Sequence, residues 1–190
     1  ARAAGVLYVM PGGTGDCSSW ASACNLQTAL AAAVSGDEIW VAAGTYLPHA
    51  SENCISFELK NGVALYGGFA GTETARDQRD YAANPTILSG DLNGDDNDNI
   101  KYYEETRWEN SYRVVLSSNV DGTSVLDGFT ISGGNAGYDG IRTPCIDHIS
   151  GGGIYNQNSH PTLANLIIEK NAAYNEGGGI FNDQSNPTLT

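Results

Sequence analysis

The stretch Gly151-Gly152-Gly153-Ile154-Tyr155-Asn156-Gln157-Asn158-Ser159-His160-Pro161-Thr162-Leu163 recurs as Gly177-Gly178-Gly179-Ile180-Phe181-Asn182-Asp183-Gln184-Ser185-Asn186-Pro187-Thr188-Leu189. The offset is 26 residues and holds without a gap over 13 positions. Upstream, Leu126-Asp127-Gly128-Phe129-Thr130-Ile131 matches Leu163-Ala164-Asn165-Leu166-Ile167-Ile168 at an offset of 37, which is 26 plus an 11-residue insertion between about Tyr138 and Ile149. Each copy reads as short β segments: Ile154 and Asn156, or Leu166 and Ile168, alternate with period two, and Gly or Pro punctuates every few residues. A short strand cannot bury a face alone. Stacking such units one strand spacing apart, about 4.8 Å, puts Ile154 over Ile180 and Leu163 over Leu189 in a continuous core. Asn156 then stands over Asn182 as an amide ladder, and Asn171 is placed to begin another strand. The repeat length predicts an all-β parallel β-helix with two or three strands per coil.

Outward from the repeat, the N-terminal part changes character. Asn25 to Val34 is the one good helix, with Leu26, Ala29, Leu30, Ala33 and Val34 on a single stripe. Asn25 is suited to its N-cap, and Gly36 stands just past its end. Strands are expected in Asp37–Tyr46, Val63–Phe69, Thr86–Gly90 and Arg113–Leu116. An open solenoid end exposes core side chains and unpaired edges, so an amphipathic element must cover it. Residues 1–36 are therefore expected to form an N-terminal cap, and 37–190 about five or six coils of one continuous domain.

The composition fits this picture. The 190 residues include 24 Gly and 17 Asn, with glycine at about twice average usage, as tight turns between short strands require. Acidic residues number 22 against 9 Lys plus Arg, a net charge of −13. That balance argues against nucleic acid and anionic membrane surfaces, both of which need a cationic face. The longest apolar run, Ala29 to Val34, is far short of the roughly 18 residues of a membrane span. Cys17, Cys24, Cys54 and Cys145 form an even set without CxxC or zinc-ligand spacing, so disulfides are expected. Cys17 and Cys24 are the natural first pair, Cys54 and Cys145 pair only if the fold joins them, and three connectivities stay open. Disulfides and the small-residue start Ala1-Arg2-Ala3-Ala4, read as a mature end left by signal-peptide removal, predict a secreted or cell-surface location. No Asn-x-Ser/Thr acceptor remains once Pro at x is excluded.

The run Leu26-Gln27-Thr28-Ala29-Leu30 with Gly36-Asp37-Glu38-Ile39-Trp40-Val41-Ala42-Ala43-Gly44-Thr45-Tyr46 resembles the cap and first coil of pectin-lyase-like right-handed parallel β-helices. Leu65 to Thr74, Ile87-Leu88-Ser89-Gly90-Asp91, Leu126 to Ile131 and the two Gly-Gly-Gly-Ile-(Tyr/Phe)-Asn motifs are similar to the repeat regions of polymorphic outer-membrane proteins of bacterial surfaces. The resemblance implies a right-handed solenoid over nearly the whole chain. It says little of function, because that fold hosts lyases, hydrolases, adhesins and passive stalks. The repeat breaks off at Thr190 without a C-terminal cap, which predicts a piece of a longer parent chain or an end covered by a neighbour.

Few residues promise chemistry. Asp91-Leu92-Asn93-Gly94-Asp95-Asp96-Asn97-Asp98-Asn99 is the densest oxygen-ligand cluster. Asp91, Asn93 and Asp95 match the first half of an EF-hand-like Ca²⁺ loop. Asp96 replaces its turn Gly and Tyr102 its closing Glu, leaving Asp98 or Glu104 to complete the set. The alternative is a solvated acidic loop. Asp147-His148, with Arg142 as base, would suit a cation-dependent lyase acting on acidic polysaccharide, but the pair sits in the insertion, where a loop held by a Cys54–Cys145 bridge explains it as well. No converging carboxylate pair of a glycosidase lies on a recognisable strand. His160 is matched by Asn186 in the next copy, which makes it a turn position. Tyr102, Tyr103, Trp108, Tyr112 and Tyr138 near polar loops offer faces on which sugars stack. Arg76-Asp77-Gln78-Arg79-Asp80 reads as a salt-bridged surface loop. The expected function is a non-catalytic structural or adhesive rod, associating end to end. The competing readings are the cation-dependent lyase and a glycan-binding module.

Overall fold

A computed structural model describes residues 3–137 and 149–190. The elements, in chain order, are β1 (Val6–Val9), α1 (Leu26–Ala32), β2 (Glu38–Ala42), β3 (Gly44–Tyr46), β4 (Phe57–Glu58), β5 (Ala64–Phe69), β6 (Thr86–Ser89), β7 (Val115–Ser118) and β8 (Val125–Asp127). There follow β9 (Thr130–Ser132), β10 (Asn135–Ala136), β11 (Ile154–Gln157), β12 (Thr162–Ala164), β13 (Ile167–Ile168), β14 (Ala172–Ala173), β15 (Ile180–Asp183) and β16 (Thr188–Leu189). The protein is mainly β, with parallel sheets. One sheet has the order β1-β2-β5-β8-β12-β16, a second β3-β6-β9-β13 and a third β4-β7-β11-β15, with β10 and β14 as a separate pair. From β2 onward the chain visits the first, second and third sheets in rotation, so each strand lies beside its counterpart of the previous round.

The pairing register carries the core. In the first sheet Leu7, Ile39, Leu65, Leu126, Leu163 and Leu189 stand in one row. Tyr46, Leu88, Ile131 and Ile168 align in the second, and Phe57, Val115, Ile154 and Ile180 in the third. These rows meet in one hydrophobic cluster. Burial of each such side chain contributes roughly 1.5–3 kcal/mol. The first row thins out at the β16 edge, where Leu189 is 65 % exposed.

The expected pairs Ile154 with Ile180 and Leu163 with Leu189 are found, and the weaker upstream copy stacks likewise, Ile131 on Ile168. Asn156 is fully buried and donates through Nδ2 to Asn182 Oδ1 at 2.7 Å, while Ser117 Oγ donates to Asn156 Oδ1. A second polar row joins them: Ser159 N–H donates to Ser185 Oγ at 2.9 Å. The rows sit in register because the turns do. Asn158 and Gln184, 26 apart in sequence, both have left-handed φ, of 46° and 50°. Asn tolerates that region better than most residues, which gives the asparagine excess a structural use. The spacing itself is not constant. Leu65 pairs with Leu126, far more than 26 residues on, because excursions intervene between β5 and β6 and between β6 and β7.

At the other end, Asn25 caps α1 by accepting the Thr28 N–H at 2.8 Å, as its position predicts. The helix is shorter than its apolar stripe. It ends at Ala32, and Val34 is exposed instead of buried. The cause is Asp37, almost fully buried, whose Oδ2 accepts the Val34 N–H at 2.7 Å and whose Oδ1 accepts the Gly5 N–H at 2.8 Å. The helix packs on β1, β2 and β4. Cys17 and Cys24 form a disulfide. Their segment satisfies the outer edge of β1: Tyr8 N–H donates to Cys17 O, and Cys24 N–H to Tyr8 O. Cys54 is also disulfide-bonded. Cys145 and the rest of the insertion lie outside the described residues. The strand expected at Arg113 to Leu116 is shifted to Val115–Ser118, and the Arg113 guanidinium instead stacks on the Tyr155 ring at 3.6 Å.

Candidate functional site

The excursion between β6 and β7 holds the acidic run. Asp91 starts it by folding the chain around its own carboxylate: Oδ1 accepts the N–H groups of Gly94 at 2.7 Å and Asp95 at 3.2 Å, and Oδ2 that of Asp96 at 3.3 Å. Short acidic side chains favour such local turns over strand pairing. Asp96 then reaches Arg107, which a single 3-10 turn at Glu105–Arg107 delivers. The Arg107 side chain is completely buried. Its Nη1 pairs with Asp96 Oδ2 at 2.6 Å, and Nη2 donates to the Gly134 carbonyl at 3.1 Å and the Lys170 carbonyl at 2.8 Å. The guanidinium thus pins the excursion to turns of two later rounds. Ser111 N–H donates to Gly90 O at 2.8 Å and brings the chain back beside its start.

That return places Glu109 against the acidic run. Carboxylate oxygens of Asp91, Asp95 and Glu109 lie within 4.8 Å of one another. Burial pushes the Glu109 carboxyl above its ordinary range, and the charges of Asp95, Asp91 and Asp96 push the same way. Burial also raises Asp96, and outweighs the hydrogen bond from Asn110 and the charge of Arg107. Asp91 and Asp95, two of the four residues expected as ligands, are therefore brought together. Asn93 is exposed on the same turn. Asp98 is exposed and faces Lys170 Nζ at 3.8 Å. Glu104 is engaged elsewhere, accepting from Asn97 at 3.0 Å and from Asn99. Glu109, Arg107 and Asn110 escape a reading by spacing, since they join the site only through the loop's return. A cavity of about 220 Å³ opens beside it, walled by Asp91, Asp96, Glu169 and Lys170 among others.

The remaining candidates scatter. Asp147, His148, Arg142 and Tyr138 lie outside the described residues. Tyr102 meets Tyr103 and Tyr174 edge-on at 5.1 Å each, Trp108 is 64 % exposed, and Tyr112 is buried and offers no face. His160 accepts the Asn186 N–H through Nδ1 at 3.0 Å, a link between successive turns. Arg76 and Arg79 do not pair within their own loop. They reach Glu38 at 2.7 Å and Asp127 at 2.6 Å, because the loop lies over the outer face of the first sheet. Comparison with known proteins finds no match: no family model, no curated protein and no solved structure.

Proposed function

We propose that the chain is a right-handed parallel β-helix of the pectin-lyase-like kind, serving as a non-catalytic structural or adhesive rod outside the cell or on its surface. The observation that carries this reading is the rotation of the chain through three parallel sheets with in-register rows from round to round. Such stacking yields a stiff body whose stability is a sum of neighbouring contacts, and needs no ligand. The Cys17–Cys24 disulfide supports an oxidising compartment. The two ends differ. The β1 edge is satisfied by Cys17 and Cys24, whereas the β16 edge leaves Leu189 exposed. A further unit of the same repeat, from a longer chain or a second copy, fits there by placing an aliphatic side chain over Leu189 and an Asn or Ser over Asn182.

The test joins sedimentation with an assay on polygalacturonate in the presence of Ca²⁺. The expected outcome is concentration-dependent association that Leu189→Lys weakens, with no unsaturated uronate released. A strictly monomeric chain removes the self-associating half of the proposal, and release of unsaturated product would sink the non-catalytic half.

A further inference from the structure

Buried polar atoms without a partner are concentrated around the acidic excursion. Among the described residues, all but two of them, Ser124 Oγ and Asn135 Oδ1, belong to residues 96 to 111, and they include Asp96 Oδ1, Glu109 Oε1 and Asn110 Oδ1. All three are acceptors, so they cannot satisfy one another. Leaving such a group buried and unmet is destabilising, more so for a charged one. Asn110 is the telling case, being only 1 % exposed. Its Nδ2 donates to Asp96 Oδ2 at 2.9 Å and to the Gly133 carbonyl at 2.7 Å. Gly133 packs directly on Asp91, since a Cβ built on it would fall 2.7 Å from the Asp91 nitrogen. The amide therefore sits at the floor of the Asp91 turn with its oxygen unmet. Its partner Asp96 stands with Asp91 and Asp95 in the acidic group that faces Glu109, and Arg107 pairs with Asp96.

We propose that Asp91, Asp95 and Glu109 hold one hard divalent cation of the Ca²⁺ class, over a floor formed by Asn110 and Asp96. Two ligands of one Ca²⁺, each at about 2.4 Å, stand at most about 4.8 Å apart, and the three carboxylates meet that limit as they are. Mg²⁺ at about 2.0–2.1 Å needs a tighter, near-octahedral set. Neither His nor Cys belongs to the group, which disfavours Zn²⁺. The ligands come from the two ends of the excursion, so the ion closes a loop instead of filling a linear EF-hand-like segment. The inference is independent of the rod proposal.

The experiment is calorimetric titration of the whole chain, freed of metal by chelator, with CaCl₂ and in parallel MgCl₂, alongside thermal melts. One Ca²⁺ site is expected, preferred over Mg²⁺, with a raised melting midpoint. Asp95→Asn and Glu109→Gln each weaken it at least about tenfold, while Asp98→Asn, which leaves the three ligands intact, leaves it unchanged. Absence of both heat and a melting shift at millimolar Ca²⁺ in the wild-type chain overturns the proposal, and so does unchanged affinity in Glu109→Gln. Loss of binding in Asp98→Asn matching that in Asp95→Asn would return the site to the linear loop. Asp95 is exposed, so its substitution keeps the test valid even if Glu109→Gln fails to fold.

Discussion

Arg107 and the carboxylates around it show how one buried side chain can fix an excursion whose apolar anchors, Leu92, Tyr112 and Val114, lie only near its two ends. Its charge is buried and paired with Asp96, and removing one partner of such a pair typically costs about 3–5 kcal/mol. Arg107→Met should therefore lower the melting midpoint sharply, and adding Asp96→Asn should recover part of the loss, as a double-mutant cycle by thermal melts would reveal. The raised carboxyls of Asp96 and Glu109 have the opposite pH sign from ordinary paired acids. In the folded chain they bind protons more readily than unfolded, so their penalty is full at neutral pH and is relieved as pH falls through their folded values toward the ordinary 3.8 and 4.5. Glu73 works the other way: burial opposes it, but the N–H groups of Ala70, Thr72 and Gly71 hold its carboxyl low, so its contribution is lost only at lower pH. Melting midpoints measured without divalent cations should hence show a smaller gain on mild acidification in Glu109→Gln than in the wild-type chain. An equal gain in both would remove Glu109 from the cause.

At the scale of elements, the triple glycines are a packing device as much as a turn. Gly151 has φ of +74° and Gly177 of +61°, a region that penalises a side chain. Gly152 is needed for a different reason: a Cβ there would stand 2.1 Å from the Ala172 carbonyl oxygen, so the backbones of two rounds touch. Gly152→Ala should destabilise by about 1–3 kcal/mol through that overpacking. Chemical denaturation would register it as a lower midpoint at unchanged slope. The motif was legible as a repeat, but which glycine serves the turn and which the contact was not. Helix α1 teaches a similar lesson. Its N-cap at Asn25 is a local signal and was readable. Its early end is set by Asp37, which takes the Val34 N–H three residues away and is itself held by Gly5 of a segment far off in sequence, a contact that no helical periodicity encodes.

Across the whole molecule, repetition in the chain becomes repetition in the core. One row of Leu and Ile side chains runs through six strands of the first sheet from Leu7 to Leu189, and the polar row Ser117, Asn156, Asn182 runs through the third. The sequence by itself determined the later part of those rows, Leu126, Leu163 and Leu189 and Asn156 over Asn182, because stacking in register puts each residue over its own counterpart, whereas Leu7, Ile39, Leu65 and Ser117 join them only in the fold. It also determined where acidity is concentrated. Only the tertiary structure decided which acidic groups meet. Asp91 and Asp95 are neighbours in the chain, but Glu109 joins them only because Arg107 and Ser111 fold the excursion back on Gly134 and Gly90. The physical reason is the same in both cases. A repeat specifies contacts through backbone register, which is local and periodic, whereas an irregular excursion is placed by a few buried polar contacts whose partners lie tens of residues away.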